Sequence, residues 1–263
     1  MPTDPARIPA TAPGTALVTG AAHRIGRAIA LALGRDGWAV AVHYNDSLGP
    51  AAALVREIEA AGGRAAPLRG DLADETETAT LVDRAADALG PVRLLVNNAA
   101  VFDRDEVQTA SRESWDRHME TNLRAPFVLM QRFAALLPAQ GTGNIVNLID
   151  QRVWNLTPHF VSYTVSKAGL WTLTRTMALA LAPRIRVNAI GPGPALPSQR
   201  QTEDQFSRQK AATPLRRGTT PDEIAAALRF ILAAPALTGQ MIALDGGQHL
   251  GWTHPEPGLE PEE

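Results

Sequence analysis

Ala16-Leu17-Val18-Thr19-Gly20-Ala21-Ala22-His23-Arg24-Ile25-Gly26 is the stretch whose reading decides the fold. A short apolar run enters a turn that carries Gly20 and Gly26. An Ala/Leu-rich helical pattern then continues to Leu33, where Gly34 and Asp36-Gly37 stop it. Strand, glycine turn and helix in this order open a dinucleotide-binding βαβ unit. The turn exposes backbone N–H groups, and the helix N-terminus attracts phosphate. Gly20 and Gly26 permit the tight turn and the close approach of backbone to a pyrophosphate. The plainer alternative is an ordinary surface loop.

Outward from this unit the alternation continues. Apolar runs at Trp38–His43, Ala65–Leu68, Leu94–Val96, Ile145–Ile149, Ile185–Ala189 and Met241–Leu244 predict strands. Helical patterns cover Ala51–Ala61, Glu75–Leu89, Trp115–Leu137, Tyr163–Leu181 and Pro221–Leu232, with a bend expected at Pro126. Residues 191–220 are rich in Pro, Gln and Arg without periodicity, which predicts a long irregular loop with a binding role. The pattern predicts an α/β fold, a single Rossmann-type doubly wound parallel sheet with helices on both faces. One domain is expected over 14–253, between a flexible tail at 1–13 and a flexible acidic tail at 254–263.

A second stretch carries chemistry. Tyr163-x-x-x-Lys167 places a phenol and an ammonium on one helical face, about a turn apart. A cation beside a phenol favours the phenolate, so such a tyrosine can give or take a proton. A solvated helix face is the bland alternative for this pair alone.

Composition narrows the functions. A formal net charge of −2 gives no electrostatic reason to expect nucleic acid or an anionic membrane as partner. The chain has no cysteine, which excludes disulfides, Cys-ligated zinc and thiol catalysis. No metal site is expected. No apolar run reaches the length of a membrane span. The first thirteen residues lack the basic-then-apolar pattern of a signal peptide.

Taken in order, Thr19–Gly26 (T-G-x-x-x-x-x-G), Asp71-Leu72, Asn97–Ala99 (N-N-A), Asn122, Tyr163-x-x-x-Lys167 and Pro192-Gly193 resemble the short-chain dehydrogenase/reductases from about Thr15 to Trp252. The resemblance implies a Rossmann domain that binds NAD(H) or NADP(H), transfers hydride to or from a small molecule, works in the cytoplasm and assembles as a dimer or tetramer. Two departures point further. Arg24 stands where the commoner pattern has a middle glycine, and Asp150, thirteen residues before Tyr163, stands where the commoner tetrad has serine. Both are similar to the pteridine reductase branch, in which an aromatic at the position of Phe102 stacks on the pterin.

The resemblance implies roles for particular residues. Tyr163 is the expected proton donor, Lys167 its activator and ribose ligand, and Asn122 a helper of the lysine through water. Asp150, Arg24 and Phe102 are the expected substrate residues. Gly20 and Gly26 would let the backbone approach the pyrophosphate, Asn98, Ala99 and Ala100 would run along the ribose, and His23, Arg24, Ile25, Pro192, Gly193 and Ala195 would also bind the cofactor. Asp71 and Leu72 would flank adenine, although a helix N-cap at Asp71 before Glu75 explains it equally well. NAD enzymes of this fold place an acid directly after the second strand. Here the end reads His43-Tyr44-Asn45-Asp46-Ser47, so a 2′-phosphate would meet Asn45, Ser47 and Arg24, favouring NADP(H). Trp154 and the Pro194–Pro197 segment are expected pocket walls.

A serine hydroxyl at position 150 would donate to a carbonyl oxygen, which a carboxylate cannot do unless protonated. A carboxylate can accept from the amino-substituted edge of a pterin, or relay a proton through Tyr163. The leading expectation is therefore NADPH-dependent reduction of a pterin-like C=N bond. The alternatives are a carbonyl reductase of a ketone, acyl thioester or sugar, and a non-catalytic NADPH-binding module.

Overall fold

The computed structural model describes residues 13–198 and 200–251. Both expected tails lie outside the described residues apart from Pro13. Seven strands form one wholly parallel sheet: β1 (Thr15–Val18), β2 (Ala39–Tyr44), β3 (Arg64–Arg69), β4 (Val92–Asn97), β5 (Gly143–Leu148), β6 (Ile185–Pro192) and β7 (Met241–Leu244), in the order β3-β2-β1-β4-β5-β6-β7. The helices are α1 (Arg24–Arg35), α2 (Leu48–Ala60), α3 (Glu75–Leu89), α4 (Arg112–Met119), α5 (Ala125–Leu136), α6 (Val161–Leu181), α7 (Glu203–Ala211) and α8 (Pro221–Ala233).

Buried parallel strands read as continuous apolar runs because both faces are covered. In β1, Ala16 and Val18 face one side and Leu17 the other. The first side packs against Ile29 and Leu33 of α1, Leu54 and Ile58 of α2, and Leu228 and Ile231 of α8. The second packs against Leu81 of α3, Leu129 and Phe133 of α5, and Leu170 and Met177 of α6. The chain runs outward from β1 to β3 and then crosses to β4 on the other side of β1. That reversal opens a crevice beyond the carboxyl ends of β1 and β4, where α/β sheets bind ligands.

Three sequence expectations need correction. The 191–220 stretch is not wholly irregular: Thr202 caps α7 by accepting from Gln205 N–H, a capping box that holds a short helix without an apolar stripe. The expected long helix over Trp115–Leu137 is two helices joined by a π-helical turn at Glu120–Arg124. Pro126 sits in the first turn of α5, directly after the π-helical turn. The cap of α3 is Asp74, which accepts from Thr76 and Glu77 N–H, whereas Asp71 accepts from Ala73 N–H in a turn of its own.

Candidate active site

The phosphate turn is built from the ends of β1, β2 and β4. Gly20 adopts a φ of 59°, a conformation open to glycine. A Cβ on Gly26 would stand 2.3 Å from the Gly20 carbonyl oxygen, so only glycine lets the turn close on itself. Asn98 Nδ2 donates to the Thr19 carbonyl at 2.8 Å and the Gly20 carbonyl at 3.2 Å. The Thr19 hydroxyl accepts from Asn98 and Ala99 N–H, tying β4 to the turn. His23, the N-cap of α1, makes no side-chain cap, so the helix N-terminus is left for an anion. Small residues, a tight turn and an uncapped helix end fit a dinucleotide pyrophosphate.

His43 was not singled out from the sequence. Its Nδ1 accepts Gly20 N–H at 3.0 Å, which puts the ring proton on Nε2, facing the Gly70 carbonyl at 3.0 Å. Burial pushes this imidazole down to about 4, with Gly70 opposing. A neutral histidine thus holds β2, the phosphate turn and the end of β3 together. Leu72 is buried beside that end, and Asp71 is partly buried.

The second half of the crevice is a cleft of about 280 Å³. Tyr163, Lys167 and Asp150 line it, together with Phe102, Asn98 and Ala100 from the β4 side. Ile25, Pro192, Gly193 and Ala195 close it from the other. Arg24 lines it as well, so part of the expected cofactor and substrate set meets at this cleft.

The central geometry differs from a simple tyrosine–lysine pair. Tyr163 Oη donates to Asp150 Oδ2 at 3.0 Å, and Asp150 Oδ1 accepts Arg152 N–H at 2.8 Å. Lys167 Nζ donates to the Leu148 carbonyl at 2.8 Å and lies 5.9 Å from the Tyr163 ring centre. Burial pushes the Lys167 ammonium down to about 8, with the Asp150 carboxylate opposing. Phe102 stacks on Phe160 at 4.5 Å and 3°, and meets Tyr163 edge-on at 4.6 Å. A planar substrate has only the remaining side of the Phe102 ring.

Several expected roles are displaced. Asn122 lies in the π-helical turn; its side chain accepts from Val101 N–H at 2.8 Å and donates to the Val101 carbonyl at 2.9 Å and to Ser166 Oγ at 3.1 Å. It holds the wall beside Phe102 through these direct bonds. The Arg24 guanidinium does not turn towards Asn45 and Ser47. It donates to the Pro197 carbonyl at 2.8 Å and the Leu196 carbonyl at 3.2 Å, strapping the segment after β6 to the phosphate turn. Asn45 and Asp46 are exposed, and Ser47 begins α2 without a side-chain cap. Trp154 does not line the cleft; it is 43% exposed and packs edge-on against Trp171 and His249.

Two further cleft features carried no sequence signal. Gln151 is a lining residue of the cleft, and its Oε1 is buried with no hydrogen-bond partner among the described residues. Arg200 Nη2 donates to the Phe102 carbonyl at 2.7 Å and to Asp103 Oδ1 at 2.9 Å, fastening the segment after β6 from its far end.

The family described as "Enoyl-(Acyl carrier protein) reductase" matches residues 20–249. The 3-oxoacyl-[acyl-carrier-protein] reductase FabG of Staphylococcus epidermidis is 33% identical over 241 residues, 90% of this chain and 99% of that protein. The chain belongs to the short-chain dehydrogenase/reductase family. Among solved structures, the FolM alternative dihydrofolate reductase 1 of Brucella canis, complexed with NADP, is 48% identical with a TM-score of 0.90, covering 94% of this chain and 98% of that one. A blue fluorescent protein from a metagenomic library, in complex with NADPH, is 31% identical with a TM-score of 0.83, covering 89% of this chain and 97% of that one. Both of these solved structures hold NADP(H), and the family uses a nicotinamide cofactor. Among the described residues no helix is long and apolar enough to cross a membrane.

Proposed function

We propose that this enzyme reduces the C=N bond of a pterin-like substrate with NADPH. The observation that carries the reading is the 3.0 Å bond from the Tyr163 hydroxyl to the Asp150 carboxylate, at the position where the commoner tetrad holds a serine. A carbonyl substrate presents an oxygen, which needs donors. At the serine position the cleft instead offers acceptors, the two oxygens of the Asp150 carboxylate. These suit the N–H-rich edge of an aminopyrimidinone, with Phe102 against its flat face. The likeness to FolM supports the same reading.

NADPH supplies the hydride when bound. Tyr163 holds the proton for the ring nitrogen, and the Asp150–Tyr163 pair keeps that proton on the cleft side of α6. The Lys167 cation, desolvated and fixed by the Leu148 carbonyl, opposes the negative charge left on the phenol. Asn98, Ala99, Ala100, Pro192, Gly193 and Ala195 shape the cofactor crevice, while Asn45, Ser47 and the start of α2 receive the 2′-phosphate. Assembly as a dimer or tetramer and a cytoplasmic location belong to the same reading.

Relatives named as 3-oxoacyl reductases favour a second reading, reduction of an acyl thioester carbonyl. The two separate on kcat/KM for 7,8-dihydropterin and for a 3-oxoacyl thioester, in wild type and Asp150→Ser. Pterin reduction should dominate in the wild type and fall in the variant, while any carbonyl activity stays level or rises. A wild type that ignores pterins and reduces the thioester overturns the reading.

A further inference from the structure

Behind the Phe102–Tyr163 contact lies a buried polar chain. Helix α6 begins at Val161, directly after Phe160, whose backbone is left-handed (φ 58°) and whose side chain caps nothing. Such a conformation is strained for a bulky residue and persists only where its surroundings hold it. One hold is aromatic: Phe102 stacks on the Phe160 ring, and the Arg152 guanidinium lies 5.0 Å from its centre.

The other hold is Asp105, 57 residues before Ser162 in the chain. Its backbone carbonyl accepts Val161 N–H at 3.2 Å, and its Oδ1 accepts Ser162 N–H at 3.1 Å. Asp105 therefore satisfies donors at the start of α6 that no local side chain reaches. Its Oδ2 accepts the hydroxyls of Ser162 and Ser114, the latter at 3.0 Å. Asp103 N–H donates to His118 Nε2 at 3.1 Å, which leaves the imidazole proton on Nδ1, 2.7 Å from Ser162 Oγ.

The hydrogens thus run one way, from the Asp103 amide through His118 and Ser162 to Asp105. Burial pushes the Asp105 carboxyl up, and the bonds from Ser162 and Ser114 outweigh that, leaving it below the usual carboxylate range. Burial likewise lowers His118, with Asp105 opposing, which suits a neutral ring. Asp105, His118 and Ser162 are each 3% exposed or less. The chain joins the segment bearing Phe102, helix α4, and the first turn of α6 bearing Tyr163.

We propose that Asp105 is a positioning residue for the reaction: by capping α6 from the Phe102 segment, through a one-way relay with Ser162 and His118, it sets the Tyr163 hydroxyl against the substrate wall. This rests on Tyr163 as the proton donor and is independent of whether the substrate is a pterin.

Asp105→Asn is the discriminating change. It keeps the volume but places an amide N–H₂ against either Ser162 N–H or Ser162 Oγ, which already receives His118 Nδ1–H. The relay loses its direction without a cavity. The full chain is assayed with NADPH and saturating 7,8-dihydropterin, and in parallel with a 3-oxoacyl thioester; the substrate that the wild type reduces serves. Asp105→Asn should lower kcat by about ten- to a hundredfold, as expected for a reacting group moved by a fraction of an ångström to an ångström. NADPH affinity should stay within about twofold, and the solvent deuterium isotope effect on kcat should rise as proton donation becomes slower.

Ser162→Ala carries the same test if Asp105→Asn does not fold. A folded Asp105→Asn, or in its place Ser162→Ala, with kcat within twofold of wild type, or with an unchanged isotope effect, overturns the proposal. Full activity in Tyr163→Phe overturns the assignment of the donor instead, so the two failures are told apart.

Discussion

The Tyr163 hydroxyl donates to Asp150 Oδ2 at 3.0 Å, joining the first turn of α6 to the end of β5. The phenol therefore points at a carboxylate, while Lys167 is fixed by the Leu148 carbonyl. In the proposed mechanism, proton supply depends on the oxygen pair, and Lys167 contributes charge at a distance.

Tyr163→Phe keeps the ring that packs on Phe102 and removes the proton. Loss of a positioned acid typically costs about a hundred- to ten-thousandfold in rate. Turnover under saturating NADPH should fall in that range, and NADPH affinity, measured by fluorescence titration, should change little. Near wild-type turnover rules the phenol out as donor.

In the proposed reading, cofactor choice is set at the end of β2. No acid directly follows the strand, and hydrogen bonds to a phosphate are worth about 1.5–3 kcal/mol. NADPH should bind on the order of ten- to a hundredfold more tightly than NADH. Because its guanidinium faces Leu196 and Pro197, Arg24→Ala should leave that ratio unchanged. Equal affinities in wild type would place Asp46 against the phosphate.

Phe102→Ala and Gln151→Leu test the fit of a flat, donor-edged substrate. The first removes stacking and burial and should weaken pterin binding by about 1–3 kcal/mol. The second removes an acceptor and should raise KM for a pterin more than for a ketone. Equal effects on both substrates would show that neither side chain reads the ring.

His43 makes stability depend on pH. Its folded value of about 4 lies below the unfolded value of 6.5, so between these limits the unfolded chain binds a proton that the folded chain does not. Stability therefore falls as pH drops from 6.5 towards 4, by about 3 kcal/mol from this group, and levels off below. Urea unfolding of wild type and His43→Gln across pH 4–7 should show a shallower slope in the variant. Parallel slopes would remove His43 from the account.

Much of this enzyme is legible without coordinates, because strand–turn–helix units are local and repeat. Gly20, Gly26, Tyr163 and Lys167 declare themselves by spacing, and all of them meet at one crevice because the parallel sheet aligns its carboxyl ends. Asp150 declares itself by departing from the commoner pattern at a fixed offset from Tyr163. What spacing cannot specify is which groups bond across the chain. Arg24 turns to carbonyls 172 and 173 residues away, where the sequence suggested a phosphate near Asn45. The cap of α3 moves from Asp71 to Asp74, and the Asn122 side chain bonds directly to the Val101 backbone. His43 and the Asp105–His118–Ser162 chain have no local signature. Their roles arise because burial strips water from polar groups and obliges each to find a partner wherever packing brings one. Local pattern determined the elements and the crevice they form; tertiary packing decided which hydrogen bonds hold the reacting groups in it.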